Sequence, residues 1–565
     1  MIKERLNKLK EKLNLLNLDG YVVPKNDEFF SEYSLKDRLK IISNFSGSAG
    51  YAVILKNKNF LFVDGRYSIQ AQIESGKLFK IKKIQEIYNC TLFKGLTLGI
   101  DPKMFTSDQI YKFFSRNNNV KLINENLVDQ IFPKRFNISK PFYSIDEKIV
   151  GESLLKKIER TLKIMKKEKA NYLFVSAPEN VAWLLNIRGF DNPNSPIPNC
   201  RLLLTKKKEF FLISERSKVK RLIKEKKINK NQVVDPKDLE SFLIKLNNGK
   251  IIIDNKTCSI YFKDILTRNL KILKKEDPIY LLKSIKNISE INGMINSHIL
   301  DGAALTKFLY WIKVINKKKI SEIDAQKKLE KFRKENKQYL FPSFNTIAGA
   351  GKNGAIVHYK AKKKNSKIID KEDIFLCDSG GQYKYGTTDV TRTVCFSKPK
   401  NQIKNIFTKV LKGHIAVATS DIKTFYNGKL IDIRARKNLK ASGLDYQHGT
   451  GHGVGFFLNV HEGPQAISKF NKIKLREGMI LSNEPGYYKK GKYGIRIENL
   501  IYIKKSNGKL FFENLTLAPI DKDLINFKLL NEKEKNYLFQ YHINVYSKLF
   551  KYLNKNERKW LTSFF

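Results

Sequence analysis

His448-Gly449-Thr450-Gly451-His452-Gly453-Val454-Gly455, followed closely by Asn459-Val460-His461-Glu462-Gly463-Pro464, decides how this chain is read. Two histidines four apart would share one face of a helix. Glycine at 449, 451, 453 and 455 makes a regular helix costly. Glycines instead let a backbone approach a site closely. Four of the seven histidines gather in such segments, the fourth being His358 in Asn353-Gly354-Ala355-Ile356-Val357-His358-Tyr359. Gly- and Pro-marked turns are where reactive groups tend to be placed. His298, His414 and His542 read as ordinary core or surface residues.

Carboxylates are interleaved with these segments. Asp378 closes the apolar run Ile374-Phe375-Leu376-Cys377, and Asp389 follows Gly386-Thr387-Thr388 into Val390–Phe396, which predicts two adjacent strands joined by a tight link. Glu484 ends Met479-Ile480-Leu481-Ser482-Asn483 and is stopped by Pro485-Gly486. Glu498 lies in Gly494-Ile495-Arg496-Ile497-Glu498-Asn499-Leu500-Ile501. Read as one strand, that run puts Arg496 and Glu498 on the same face, where Arg496 could hold the carboxylate. Singly, each acid is more ordinarily a turn residue or half of a surface ion pair. Together, Asp378, Asp389, His452, Glu484 and Glu498 have the composition of a carboxylate-rich two-metal site. Carboxylates crowded into one pocket repel unless a cation lies between them, and such sites hydrolyse their substrates. A hard, oxygen-rich donor set favours Mn²⁺, with cobalt or zinc able to substitute.

Composition narrows the remaining classes. The formal net charge is +52, which invites a nucleic-acid reading. The lysines are spread along the whole chain beside abundant Asn, Ile, Phe and Tyr, the pattern of AT-rich coding, so no specific nucleic-acid partner is expected. Cys90, Cys200, Cys258, Cys377 and Cys395 are scattered without a CxxC pair, as expected of reduced cytoplasmic thiols. No run approaches the ~18–20 apolar residues of a membrane span, and the amino-terminal segment lacks the apolar core of a signal peptide. Ile2, Leu6, Leu9, Leu13 and Leu16 predict an amphipathic helix there.

A chain of 565 residues implies several domains of roughly 100–200 residues each. The first half carries a diverged repeat. Copy one has a strand at Asp19-Gly20-Tyr21-Val22-Val23-Pro24 and a hairpin, Tyr51–Leu55 into Phe60–Asp64. Copy two has a helix around Leu155, Ile158, Leu162 and Met165, a strand at Asn171–Val175 and a hairpin, Arg201–Leu204 into Phe210–Ile213. Strands with interposed helices predict two α/β units of similar fold. Boundaries are expected near Pro141 and after Asp277-Pro278. All the candidate chemistry lies beyond the second. Helical, aromatic-rich sequence from about Leu524 to Phe565 reads as packing or oligomer surface.

With these motifs in place, the chain resembles the Xaa-Pro aminopeptidases (aminopeptidase P), metallopeptidases of the pita-bread fold, in their long three-domain form. The resemblance implies an α/β (α+β) class: creatinase-like domains over 1–140 and 141–288, a pita-bread catalytic domain over 289–505 and a C-terminal extension over 506–565. Carried over by position, the metal ligands are Asp378, Asp389, His452, Glu484 and Glu498, with Asp389 and Glu498 bridging two divalent ions. The site histidines fall on His358, His448 and His461, and Arg496 matches the arginine beside the bridging glutamate. Glu484 is expected to move the proton. His461 and His358 are expected to hydrogen-bond the substrate carbonyl. Tyr488 and His461 are expected to edge the proline pocket. The implied substrates are peptides with proline at position 2, and the implied assembly is a cytoplasmic homodimer. The rival readings are a prolidase restricted to Xaa-Pro dipeptides, and a non-enzymatic binding protein on the same fold. The complete ligand set disfavours the second.

Overall fold

The computed structural model describes residues 2–565 apart from 89–90, 115–117, 134–139, 247, 317–318 and 364. Cys90 therefore lies outside the described residues. Cys200, Cys258, Cys377 and Cys395 are free and buried. The chain divides into two compact units, Met1–Tyr280 and Leu281–Phe565.

The first unit contains two six-stranded sheets of the same topology. In chain order the first comprises Gly20–Pro24, Tyr51–Leu55, Asn59–Val63, Lys80–Lys83, Thr97–Ile100 and Asn119–Leu122, arranged 4-3-2-1-5-6 across the sheet. The second comprises Tyr172–Val175, Arg201–Thr205, Phe210–Ile213, Val233–Val234, Lys250–Ile253 and Lys271–Lys274, in the same arrangement. Parallel and antiparallel pairings also match, strand for strand. The repeat read from the two hairpins is thus a repeat of whole sheets.

Both faces of the first sheet are covered. Val22, Val53, Phe60 and Phe62 feed one core, while Tyr21, Val23, Ala52, Ile54, Leu61 and Val63 feed the other. A strand buried on two sides reads as a continuous apolar run rather than an alternating one. The N-terminal helix Ile2–Leu15 buries Leu6, Leu9 and Leu13, as its spacing predicts. The helix Leu154–Lys167 departs from its predicted face. Leu155 is exposed, while Lys157 and Thr161 are buried beside Ile158 and Met165. The Lys157 ammonium is accommodated by the Trp183 carbonyl at 3.0 Å and Asn186 Oδ1 at 2.7 Å.

The second unit repeats a helix–helix–sheet sequence. Helices Ile288–Tyr310 and Glu322–Lys334 precede a sheet of Ile347–Ala350, Ile374–Ser379 and Val390–Cys395. Helices Asn401–Ala418 and Gly428–Lys440 precede a sheet ordered Glu462–Ile467, Gly451–Gly453, Ile480–Asn483, Asn499–Ser506, Lys509–Asn514. The C-terminal helix Glu532–Leu549 inserts Leu538, Tyr541, Val545 and Leu549 into a core shared with Ile495, Ile497, Phe407 and Val410. His298, His414 and His542 are buried.

Candidate metal centre

Asp378 lies in the strand Ile374–Ser379, which pairs with Val390–Cys395 so that Asp378 stands opposite Thr391. The intervening chain is not the tight link predicted. It leaves as Gly381–Tyr383 and Gly386–Thr387 to build a separate sheet with Tyr339–Pro342, then returns to place Asp389 beside Asp378. The run around Glu498 also departs from prediction. It is two strands: Tyr493–Arg496 pairs with Gly486–Lys489, and Asn499–Ser506 joins the five-stranded sheet. Glu498 occupies the joint.

His452 is carried by the short strand Gly451–Gly453. A Cβ on Gly451 would lie 1.9 Å from the Ser482 carbonyl oxygen, and one on Gly453 2.3 Å from that of Glu462. These glycines are what let the flanking strands close on His452. Its Nδ1 donates to the Gly453 carbonyl at 3.0 Å, which leaves Nε2 as the ring atom turned towards the acids. That Nε2 is 3.5 Å from Asp389 Oδ2 and 3.6 Å from Glu484 Oε1.

Three sets of donor atoms converge, each set with all its atoms within 4.8 Å of one another: Asp378, Asp389 and Glu498; His452, Glu484 and Glu498; and Asp389, His452 and His461. The five predicted ligands are therefore together, with Glu498 common to the first two sets. His461 joins the third set, its ring 4.3 Å from that of His452. His448 lies beside the cluster, Nδ1 at 3.9 Å from Glu484 Oε2. His358 is outside these three sets, partly buried on the turn after Gly351–Ala355.

The cluster has the chemistry of a divalent-cation site. Asp378 Oδ1 is buried with no hydrogen-bond partner. As bare carboxyl groups these acids resist ionisation. Burial, partly offset by Arg496 and reinforced by Asp389, pushes Asp378 up to about 7. Burial and the neighbouring Asp389, Glu484 and Asp378 raise Glu498 well above the usual range. Burial alone would lower His452, but Asp389 and Glu484 outweigh it and push it up to about 9. The pocket draws positive charge, which cations between the carboxylates would supply. A further set, Cys395 with Asp521 and Asp523, differs because the Lys313 ammonium already sits 2.6 Å from Asp521 and 3.0 Å from Asp523.

Arg496 does not act as the strand reading expects. Its Nη2 donates to Asp378 Oδ2 at 2.6 Å, and its Nε to Thr391 Oγ1 at 3.0 Å. Thr391 in turn donates to Glu498 Oε2 at 2.7 Å. The guanidinium thus orients one acid directly and the other through a hydroxyl. Its Nη1 donates to the Tyr488 hydroxyl at 2.6 Å, which lies 2.9 Å from His448 Nε2. Burial holds His448 down to about 4. It is neutral, with Nδ1 donating to the Gly449 carbonyl at 2.7 Å and Nε2 accepting from Tyr488. Tyr488, expected only at a pocket edge, links Arg496 to His448.

A model of metallopeptidase family M24 matches residues 292–505, and one of its C-terminal region matches 508–563. The creatinase/prolidase N-terminal domain matches twice, over 5–129 and 133–290. A probable Xaa-Pro aminopeptidase P of Laccaria bicolor is 37% identical across 99% of this chain and 92% of its own length. The chain belongs to metallopeptidase family M24. Xaa-Pro aminopeptidase 1 of Dictyostelium discoideum is 35% identical, covering 99% of this M24 chain and 95% of the relative. The crystal structure of the Caenorhabditis elegans X-prolyl aminopeptidase, described as a cytosolic enzyme with a di-nuclear active site, superposes with TM-score 0.92 at 31% identity. It covers 100% of this chain and 99% of that one. The Pyrococcus horikoshii prolidase covers 65% of this chain and 99% of its own, at 26% identity and TM-score 0.53. The α/β class, with creatinase-like domains ahead of an M24 catalytic domain, is as the sequence implies.

Three supports of this M24 site were not visible as motifs. Thr391 is the hydroxyl that holds Glu498. Arg392 is fully buried, donating to the Glu498 carbonyl at 2.7 Å, the Ala518 carbonyl at 2.9 Å and Asn499 Oδ1 at 2.8 Å. It ties the Glu498 joint to the C-terminal extension. Glu462, next to His461, is buried between Lys283 at 2.9 Å and Lys286 at 2.5 Å. The signal for the first two is the Thr391-Arg392-Thr393 triplet, one residue beyond Asp389. Nothing local marks the third.

Proposed function

We propose that this protein is a dinuclear aminopeptidase that hydrolyses the bond between an N-terminal residue and a following proline. The observation that carries the reading is the convergence of two donor sets on Glu498. The proline specificity draws on full-length relatives named Xaa-Pro aminopeptidase. The prolidase alternative accounts for less, because the prolidase structure covers only 65% of this chain.

Asp378, Asp389, His452, Glu484 and Glu498 would hold the ions, and the oxygen-rich set favours Mn²⁺. When bound, a pair of divalent cations polarises a peptide carbonyl and lowers the pKa of a water molecule. Glu484 takes the proton from the attacking water and returns it to the proline nitrogen as the C–N bond breaks. The Ser482 hydroxyl, 3.2 Å from Glu484 Oε1, fixes that carboxylate. Arg496 keeps Asp378 in place. His461, exposed at the edge of the cluster, and His358 meet the peptide carbonyl. Protein freed of metal should release no arginine from Arg-Pro-Pro and should recover on adding Mn²⁺. Activity that survives thorough chelation would contradict the reading.

The C. elegans neighbour is described as cytosolic, and the four described cysteines are free and buried, so a cytoplasmic location is proposed. A homodimer is proposed as well. Phe539, Ile543, Phe550 and Phe565 are each 37–45% exposed in the C-terminal segment. Tyr546 packs among them, its ring 5.6 Å from both Phe550 and Phe565. Such an apolar stripe suits a second copy of the chain. Light scattering should give twice the chain mass, and Phe539→Asp should shift it towards the monomer. A wild-type monomer at micromolar concentration would refute this.

A further inference from the structure

We infer that Glu322 is a positioning residue for His358, an inference that rests on the aminopeptidase reading of His358 as a peptide-contacting group. Glu322 opens the helix Glu322–Lys334. A glutamate there is ordinarily solvated and helps the helix dipole. This one is completely buried, a cost that hydrogen bonds must offset. Its bonds all go to one stretch of chain. Oε1 accepts from the Ala350 amide at 2.8 Å and Asn353 Nδ2 at 3.0 Å. Oε2 accepts from the Tyr359 hydroxyl at 2.7 Å and the Lys367 amide at 2.9 Å. The Glu322 amide donates back to the Lys367 carbonyl at 3.0 Å.

These partners bracket His358. Ala350 ends the strand whose Ile347 pairs with Asp378, so the start of the loop is fixed relative to the cluster. Asn353 lies in the turn that precedes His358, Tyr359 is its neighbour in sequence, and Lys367 is on the return. The loop also packs tightly on the strand that carries Arg496, since a Cβ on Gly494 would lie 1.8 Å from the Gly354 carbonyl oxygen. The carboxylate therefore holds the loop at its start, beside His358 and on its return, across the interval where the peptide carbonyl would be met. All four partners are donors, and only a carboxylate accepts at both of its atoms. In Glu322→Gln one end would present N–H to a backbone N–H, that of Ala350 or that of Lys367, leaving donors unpaired.

The test is a double-mutant cycle on the metal-loaded protein with Arg-Pro-Pro, reading kcat and KM separately. Glu322→Gln should lower kcat/KM by about 10²-fold, the cost of misplacing a reacting group by about 1 Å. Metal content should be unchanged. On a His358→Ala background it should cost almost nothing more, because both changes remove one interaction. Tyr359→Phe, which deletes a single hydroxyl and spares the fold, should show a smaller loss with the same coupling. A neutral Glu322→Gln, or losses that multiply with His358→Ala, would overturn the inference and leave the function standing. An inert His358→Ala would instead overturn the reading of His358 on which it rests.

Discussion

Glu484→Gln should fold, hold one divalent cation where the wild type holds two, and turn over Arg-Pro-Pro about 10³–10⁴-fold more slowly, the upper range for losing a general base. Glu484 belongs to the set with His452 and Glu498 but not to the set of Asp378, Asp389 and Glu498. The amide therefore weakens one cation position and spares the other. Glu498→Gln touches both sets and should lose both cations. Its neutral side chain also leaves Thr391 with a weaker acceptor. Metal analysis of dialysed protein beside single-turnover kinetics separates the two variants. Equal metal loss in both would mean that the donor sets do not act as two positions. Full activity in Glu484→Gln would remove it from proton transfer.

The second large effect is on stability. Glu462 lies between Lys283 and Lys286, with all three side chains 1% exposed. Two ammonium groups and one carboxylate are thus held out of water. Burial alone would raise the Glu462 carboxyl, but Lys283 and Lys286 outweigh it and hold it below its usual range, so it is ionised at neutral pH. Deleting one partner of a buried ion pair leaves uncompensated charge and costs about 3–5 kcal/mol. Glu462→Ala should pay that in denaturant unfolding. Replacing Lys283, Lys286 and Glu462 together by Met should cost less than the single change, because no charge is then left buried. The single variant should also lower activity, since the same segment presents His461. A Glu462→Ala protein as stable as wild type would show that the lysines reach water or other partners in solution.

The parts of this molecule that were legible in the sequence are those carried by local pattern. The two sheets of the first unit could be found because each hairpin is a continuous apolar run broken by a short polar turn, and the runs recur in the same order. The cluster could be found because its five donors sit at glycine-marked turns and strand ends, where tertiary packing leaves little choice of residue. The failures have a common physical cause. β-branched residues running through the segment put Glu498 on one continuous strand, yet the strand changes sheet at Ile497 and Glu498, and the carboxylate is held by Thr391, 107 positions away. Lys286 and Glu462 are 176 apart in sequence. Glu322 looks like any first-turn glutamate until the loop that folds over it is known. The spacing of Leu155 allows it a place on the buried face, but the face that packs instead carries Lys157, whose ammonium finds a carbonyl and an amide. The aromatic-rich C-terminal sequence is compatible with either packing or an oligomer surface, and the helix supplies a face for each. Leu538, Tyr541 and Val545 line the core, while Phe539 and Ile543 remain at the surface.

The most direct measurement is a titration of metal-free protein with Mn²⁺, following release of the first residue from Arg-Pro-Pro and from the dipeptide Arg-Pro in parallel. The account predicts arginine release from the tripeptide that reaches its plateau at two equivalents of metal, with the dipeptide cleaved far more slowly. Preferential cleavage of the dipeptide, or no cleavage of either at any metal loading, would contradict it.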